Sequence, residues 1–548
     1  LDLQFGSWDE IHFSGRHCME RGVNRNKITQ DIKVICSKRG MSSHHENPFV
    51  IICDHGANEN SGDCYGLMLM YSGNHKFEIE KDQAGSTRVV AGINDEYFSW
   101  CLEAGNVFDT PELIMAYTPD GLGKLSRLYH NIIRENVCDR KYLDMKRPVL
   151  INNWEATYFD FNDEKILGIA KEAAELGIEM LVLDDGWFGK RDDDNSGLGD
   201  WFVNEKKLKG GLGKLSAGIV NLGMKFGLWI EPEMINEDSD LFRKHPDWAL
   251  CDPDRKPMMA RNQMVLDMSN EAVREYLFNC IKDILDNAQI SYLKWDFNRG
   301  LANVYSKNLP PEKQGETAHR FVLGTYALLD RILKAYPSLM IEGCAGGGGR
   351  FDAGMLYFCP QIWCSDDTDA IERLEIQEGT SFGYPVSTMG SHVSASPNHQ
   401  TGRHTPLSTR GIVAMSGTFG YELDVTKMTA EDKAEVKEQI KTFKQHYELI
   451  QKGDYYRISN EDHSEIYKAW EFAAVDRSEA LVNIVVKKVQ ANAPIKLVKL
   501  KGLDEKAVYR LAGTDEEFSG AALMYAGYAI NLGMGDYPGV QLYFKRID

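Results

Sequence analysis

Three successive patterns of apolar and polar positions run along the chain. Up to about residue 138, apolar residues come in short runs, FVIICDHG, YGLMLMYSGN, FEIEKD and TRVVAGIN, broken by Gly, Asn and Asp turns. In HKFEIEKD apolar and polar residues alternate, which puts successive side chains on opposite faces of a strand and predicts a sheet with one wet face. This part reads as an N-terminal β-sandwich, residues 1–138, closing in the helical stretch LGKLSRLYHNIIRENV. The opening LDLQFGSWDEIHF already alternates like a strand, so the reading places the start of the chain inside a domain, with no signal peptide before it.

The period then changes. Compact apolar strands are expected at 148–154 (PVLINNW), 180–187 (MLVLDDGW), 225–233 (KFGLWIEPE), 290–298 (ISYLKWDFN), 338–347 (SLMIEGCAGG), 361–367 (QIWCSDD), 385–393 (PVSTMGSHV) and 416–424 (SGTFGYELD). Between them DEKILGIAKEAAELG, NEAVREYLFNCIKDILDNA and TAHRFVLGTYALLDRILKAY repeat their apolar residues every three or four positions, the helical spacing. Strands alternating with helices imply parallel pairing, and eight such units imply a closed (β/α)8 barrel over residues 139–453. A short extra strand, MVLDMS at 264–269, belongs to an excursion after the third barrel strand, and residues 429–450 form one more helix. From 454 to 548 short strands return, a C-terminal antiparallel β-sandwich.

At 548 residues the chain is long enough for two to four domains. Its 62 Lys and Arg against 81 Asp and Glu leave a net charge of −19, which provides no basic face for a nucleic acid or an anionic membrane. No apolar run is long enough to span a bilayer. The 11 cysteines are odd in number and form no C-x-x-C, which reads as reduced thiols and a cytoplasmic protein. No zinc-ligand spacing, H-E-x-x-H or G-x-G-x-x-G appears, so the reading assigns no metal and no cofactor.

Candidate chemistry gathers where the barrel strands end. They close with Trp154 and Glu155; Asp184, Asp185 and Trp187; Glu231 and Glu233; Lys294, Asp296 and Asn298; Glu342 and Cys344; Asp366 and Asp367; Ser391 and His392. The C-terminal rim is where a barrel of this kind builds its active site. Carboxylates with indole rings suit glycoside hydrolysis, in which one carboxylate attacks the anomeric carbon and a carboxylic acid protonates the leaving oxygen. A divalent-metal cage is the competing use of clustered acids. Lys294, Arg261 and the interleaved tryptophans favour the sugar.

Several motifs, in order along the chain, resemble the retaining α-galactosidases of glycoside hydrolase family 36: NNWEATYFDF at 152–161, LDDGWFG at 183–189, EPEM at 231–234, ARNQ at 260–263, KWDFNR at 294–299, CAGGGGRFD at 344–352, WCSDDTDA at 363–370 and NHQTGR at 398–403, together with Trp8 and SSHHENPF at 42–49. The resemblance implies a longer N-terminal β-domain, of which this chain holds the latter part. It implies Asp296 as nucleophile and Asp366 as general acid/base. It makes Asp184 and Asp185 ligands of the galactose O4 and O6 hydroxyls, Arg261, Lys294 and Asn298 hydroxyl partners, Trp229 a pocket wall, Cys344 and Gly347 the wall near the 2-hydroxyl, and Trp8 a residue reaching a site across subunits. It further implies a homo-oligomer, a dimer or a tetramer.

The residues themselves carry expectations of their own. Lys294 shares a strand face with Asp296 and would keep it ionised; it could instead serve as a Schiff-base lysine. Asp366 needs a raised pKa to donate a proton, and Asp367 beside it could raise it by repulsion. Either acid could alternatively cap the helical stretch at 369–377, and Trp8 could equally be a core residue of the sandwich. The function read from all this is exo-acting release of terminal α-galactose from melibiose- or raffinose-type oligosaccharides by double displacement. The alternatives are an α-N-acetylgalactosaminidase or an α-galactosyl transferase on the same scaffold, a poorly active sugar-binding relative, and, last, a Schiff-base aldolase.

Overall fold

A computed structural model describes the chain except residues 43, 460–464 and 532; Ser43, within SSHHENPF, thus lies outside the described residues. The N-terminal part is two antiparallel sheets. One has four strands in the order Asp2–Phe5, Ser86–Ile93, His75–Lys81, Ile32–Cys36; the other has five, in the order Met19–Lys27, Trp8–Arg16, Glu46–Asp54, Cys64–Leu69, Leu113–Thr118. His75–Lys81 alternates buried and accessible positions along most of its length, as its sequence requires. Glu46–Asp54 does not alternate, and seven of its nine residues are buried. The strand carries contacts to the other sheet and to the barrel: Phe49 meets Tyr384 edge-on at 6.5 Å, and Asn47 Nδ2 donates to the Phe351 carbonyl at 2.7 Å. A strand covered on both faces has no use for polar alternation.

The middle of the chain is a closed parallel barrel of eight strands: Leu150–Asn152, Met180–Leu183, Lys225–Ile230, Tyr292–Trp295, Met340–Gly343, Gln361–Trp363, Met389–Ser394 and Thr418–Glu422. It closes where Leu150 pairs with Gly420 and Ile151 with Tyr421. Every strand is shorter than the apolar run that predicted it: Trp154, Asp184, Asp185, Glu231, Glu233, Asp296, Asn298, Asp366 and Asp367 lie beyond the last strand residue, in the rim loops, whereas Lys294, Glu342, Ser391 and His392 are paired within their strands. The seventh strand also starts late, since Val386–Thr388 forms a 3-10 turn after Pro385. The MVLDMS segment contributes Met264–Val265, paired antiparallel with Met234–Ile235 outside the barrel.

Local signals set the helix boundaries. In Asp163–Leu176 the Asn162 side chain accepts from the Lys165 N–H at the start, and Gly177 takes a left-handed φ of 91° at the end. The predicted helix at 429–450 is two helices, Ala430–Gln445 and Tyr447–Lys452, interrupted at His446, whose ring packs on Tyr543 at 4.4 Å. Beyond it lie a six-stranded antiparallel sheet and a two-stranded one. No helix among the described residues is long and apolar enough to cross a membrane.

Candidate active site

The loops that follow the barrel strands enclose a pocket of about 180 Å³. Asp184, Asp185, Trp229, Arg261, Lys294, Asp296, Asn298 and Asp366 all line it, together with His17, Trp154, Glu155, Trp363, Thr368, His399, Gln400 and Glu422. Residues as far apart in sequence as His17 and Glu422 thus converge on one volume.

Asp296 directly follows the fourth strand and is held by four N–H groups. Trp229 Nε1 donates to Oδ2 at 3.1 Å and Asn298 Nδ2 to Oδ2 at 2.8 Å; the Phe297 N–H donates to Oδ1 at 2.8 Å and the Gly346 N–H at 3.3 Å. Arg261 Nη1 donates to Asn298 Oδ1 at 2.6 Å and so fixes the amide that faces Asp296. Arg261 and Asn262 both take left-handed backbone, with φ of 51° and 58°, a conformation unfavourable to side chains that the loop sustains to aim the guanidinium. The glycine run therefore brings an N–H to the carboxylate. Gly347 has a φ of 77° and lies so close to Asp366 that a Cβ would stand 2.5 Å from its backbone nitrogen.

Lys294 differs from expectation. Its ammonium pairs with Asp184 Oδ2 at 2.9 Å, and Asn152 Nδ2 donates to the same oxygen at 2.6 Å. Burial works against the charge, but the Asp184 carboxylate outweighs it and holds Lys294 protonated, which removes the free amine a Schiff base needs. Asp185 is gripped by Arg191, whose Nη2 lies 2.8 Å from Oδ2 and whose Nε lies 3.1 Å from both carboxylate oxygens. Both acids are therefore preset in direction before any hydroxyl arrives.

Asp366 overturns the expected direction of its titration, which was upward. Burial alone would raise its carboxyl, yet a hydrogen bond from His17 Nε2 at 2.8 Å and the nearby positive charges of Arg261 and Lys294 hold it below its ordinary value. Its neighbour Asp367 is turned away and accepts from the Asp369 N–H at 2.8 Å; burial pushes it up to about 6. The cap of the helix Ala370–Thr380 is Asp369, which accepts from the Ile371 N–H, so neither Asp366 nor Asp367 fills that role.

Other strand-end residues separate into layers. Glu231 sits behind Asp296, accepts from Gln263 Nε2 and the Asn298 N–H at 2.7 Å each, and is pushed up to about 8 by burial and by the charge of Asp296. Glu233 faces away from the pocket, bound by Arg350, Trp295 Nε1 and Thr325. Glu342 lies lower in the barrel and accepts from Gln361. Ser391 donates to Gln377, and His392 faces Glu422 at 3.1 Å. Cys344 is buried beside Asp296, where burial first and then that charge raise its thiol far above the usual range. Trp8 lies buried in the N-terminal sheet, edge-on to Tyr65 at 5.9 Å, and does not line this pocket. Among the described residues no cluster of His, Cys, Asp and Glu could hold a metal.

Sequence reasoning missed His17, His399 and Glu422. His399 follows the seventh strand and Glu422 ends the eighth, so both could have been found by extending the rim argument to every strand end and loop. His17 stands 349 residues from Asp366 in a hairpin of another sheet, and no barrel motif points to it.

The family models for the N-terminal domain of glycosyl hydrolase family 36, for melibiase and for the family 36 C-terminal domain match residues 1–103, 107–453 and 467–544. The chain is 50% identical over 547 residues to the bifunctional alpha-galactosidase/sucrose kinase AgaSK of Mediterraneibacter gnavus and covers 58% of that protein's length. It is 48% identical to alpha-galactosidase AgaA of Geobacillus stearothermophilus, covering all of this chain and 75% of the relative. The crystal structure of AgaA superposes with a TM-score of 0.98, covering all of this chain and 76% of that one; a variant of AgaA was solved with raffinose. Barrel, flanking sheets and whole-length identity agree: the chain belongs to glycosyl hydrolase family 36.

Proposed function

We propose that this chain hydrolyses terminal α-galactosides by double displacement, with Asp296 attacking the anomeric carbon and Asp366 serving the leaving oxygen and then water. The observation that carries this reading is the asymmetry of two carboxylates in one pocket. Four N–H donors fix the direction of Asp296, as a nucleophile requires. Asp366 is partly open and touches a titratable partner, as a group that exchanges protons requires. Asp184 and Asp185, held by Lys294 and Arg191, are acceptors for sugar hydroxyls, while Trp229 and Trp363 offer apolar faces to the ring. Arg261 and Asn298 complete the hydroxyl partners, and Cys344 with Gly347 back the wall behind Asp296 and Asp366.

Oligosaccharides of the raffinose type are the substrate class, supported by the raffinose complex of AgaA. The eleven cysteines, all free, support a reducing, cytoplasmic setting. On the outer face of the four-stranded sheet Phe5, Ile32, Val34 and Val90 are exposed, which supports self-association into a dimer or tetramer. Working units of 1–138, 139–453 and 454–548 follow the changes from sheet to barrel to sheet.

A panel of nitrophenyl α- and β-glycosides of galactose, N-acetylgalactosamine and glucose tests the reading. Hydrolysis confined to the α-galactoside, with α-galactose as the first product by NMR, is expected. Turnover of the N-acetylgalactosaminide alone, or β-galactose as first product, overturns it.

A further inference from the structure

The mechanism above asks Asp366 to begin as an acid, yet its surroundings hold it as a carboxylate. The contact responsible comes from outside the barrel. His17 occupies the turn between strands Trp8–Arg16 and Met19–Lys27 of the N-terminal sheet, and its Nε2 lies 2.8 Å from Asp366 Oδ2. This hairpin is built to hold its tip still. Arg21, fully buried, donates to the carbonyls of Gly348 and Cys364 at 3.1 and 2.6 Å and to Thr380 Oγ1 at 2.6 Å. Glu20 accepts from Ser365 Oγ, one residue before Asp366. Cys18 and Arg21 take left-handed φ values of 63° and 56°, so two non-glycine residues carry strain that aims the turn at the pocket. His17 itself keeps 54% of its side chain exposed, which leaves its ring free to turn.

We propose that His17 is the positioning residue of the acid–base carboxylate and stores its proton between the two half-reactions. This rests on the reading of Asp366 given above. Before substrate binds, the proton lies on His17 Nε2 and Asp366 is an anion. As the aglycone enters, the Nε2–H bond breaks, an O–H bond forms on Oδ2, and the neutral ring turns aside. Asp366 then gives that proton to the glycosidic oxygen while Asp296 bonds to the anomeric carbon. In the second half the attacking water gives its proton to Asp366, and the proton returns to His17. The cycle closes with no net gain or loss.

The surroundings favour the resting half of this division, with the proton on His17. The hydrogen bond and charge of Asp366 raise His17 to about 10. The groups facing the pair are Cys18, Glu20 and Arg21 on the hairpin, His44 on the adjoining segment, and Arg261, Lys294, Asp296 and Cys344 on the barrel. His44 is pulled down by burial and remains the neutral neighbour, its Nε2 on the Gly346 carbonyl at 2.7 Å.

The test compares His17→Gln and His17→Ala with the unaltered chain on melibiose and on 4-nitrophenyl α-galactoside, across pH 4–11. Melibiose needs a protonated leaving oxygen; nitrophenolate does not. In both variants kcat/KM for melibiose at pH 7 should fall more than tenfold further than for the nitrophenyl substrate, and its basic limb should move down by at least one pH unit. Equal losses on both substrates, or a basic limb in its original place, overturn the proposal; thermal melting curves check that the variants are folded. If the unaltered chain itself releases no galactose, the parent reading has failed instead.

Discussion

Asn298 bridges Glu231 and Asp296: its backbone N–H reaches Glu231 Oε1 at 2.7 Å and its side-chain Nδ2 reaches Asp296 Oδ2 at 2.8 Å. Two carboxyls meeting through one residue cannot both carry charge cheaply, and Glu231, pushed up to about 8, keeps its proton at neutral pH. Glu231→Gln preserves both neutrality and shape. It should lower kcat/KM by less than about tenfold, whereas Glu231→Ala, which leaves the Asn298 N–H unpaired, should lose more, on the scale of about 1–3 kcal/mol for an orphaned buried donor. Steady-state kinetics at pH 6 measure both. Equal losses would show that Glu231 acts as an ion.

Asp184→Asn should damage both turnover and folding. The substituted amide cannot accept as a carboxylate does, and it also unpairs Lys294. We expect a loss of about 3 kcal/mol in kcat/KM, the scale of a charge-assisted hydrogen bond broken in a dry site. Unaltered kinetics would reduce Asp184 to a structural partner of Lys294.

The two acids are separated by rescue chemistry. Asp366→Ala should still form the glycosyl-enzyme from a nitrophenyl α-galactoside and then stall for want of a base; azide should restart it and give α-galactosyl azide. Asp296→Ala has lost the attacking group and should at best yield the β-azide. NMR of the azide products reads the outcome, and the reverse pairing would exchange the two roles.

Glu471 offers a stability prediction remote from the chemistry. It is fully buried in the C-terminal sheet, with the Lys501 N–H at 2.8 Å from Oε2, and burial pushes it up to about 8. The folded chain therefore holds a proton that the unfolded chain loses near pH 4.5. Its neutral form stabilises the fold fully below that pH, and the stability is lost as pH rises toward 8. Glu471→Gln should remove this slope, so that the difference in Tm between variant and parent grows from pH 5 to pH 8. A constant difference would mean the carboxyl titrates normally.

The barrel was legible because its strands are buried on every side and its helices are not, so the two periods separate cleanly. The rim acids were legible for the same reason, since each interrupts an apolar run where a buried strand must stop. What sequence could not give was which way each acid turns. Glu231 and Glu233 are two residues apart and look alike, yet one backs the pocket and the other is bound by Arg350 and Trp295. Asp366 and Asp367 are adjacent, and only the side-chain direction decides which meets His17. The Lys294 ammonium was expected on Asp296 from strand alternation; the shorter path across the barrel to Asp184 won. His17 was invisible, because contacts between separate sheets leave no local period.

Arg21 has a consequence for how this chain could be altered or reused. Its three acceptors belong to two successive barrel loops and the helix that follows the second, and its guanidinium also lies over the Phe351 ring at 4.8 Å. Lifting the sheet away would strand a cation and two backbone carbonyls in an apolar seam, so the seam opens only with a large loss. A transplanted barrel would arrive with a bare rim, and a swapped N-terminal sheet would have to reproduce the hairpin turn to within the reach of one hydrogen bond. The two pieces are inherited together or not at all.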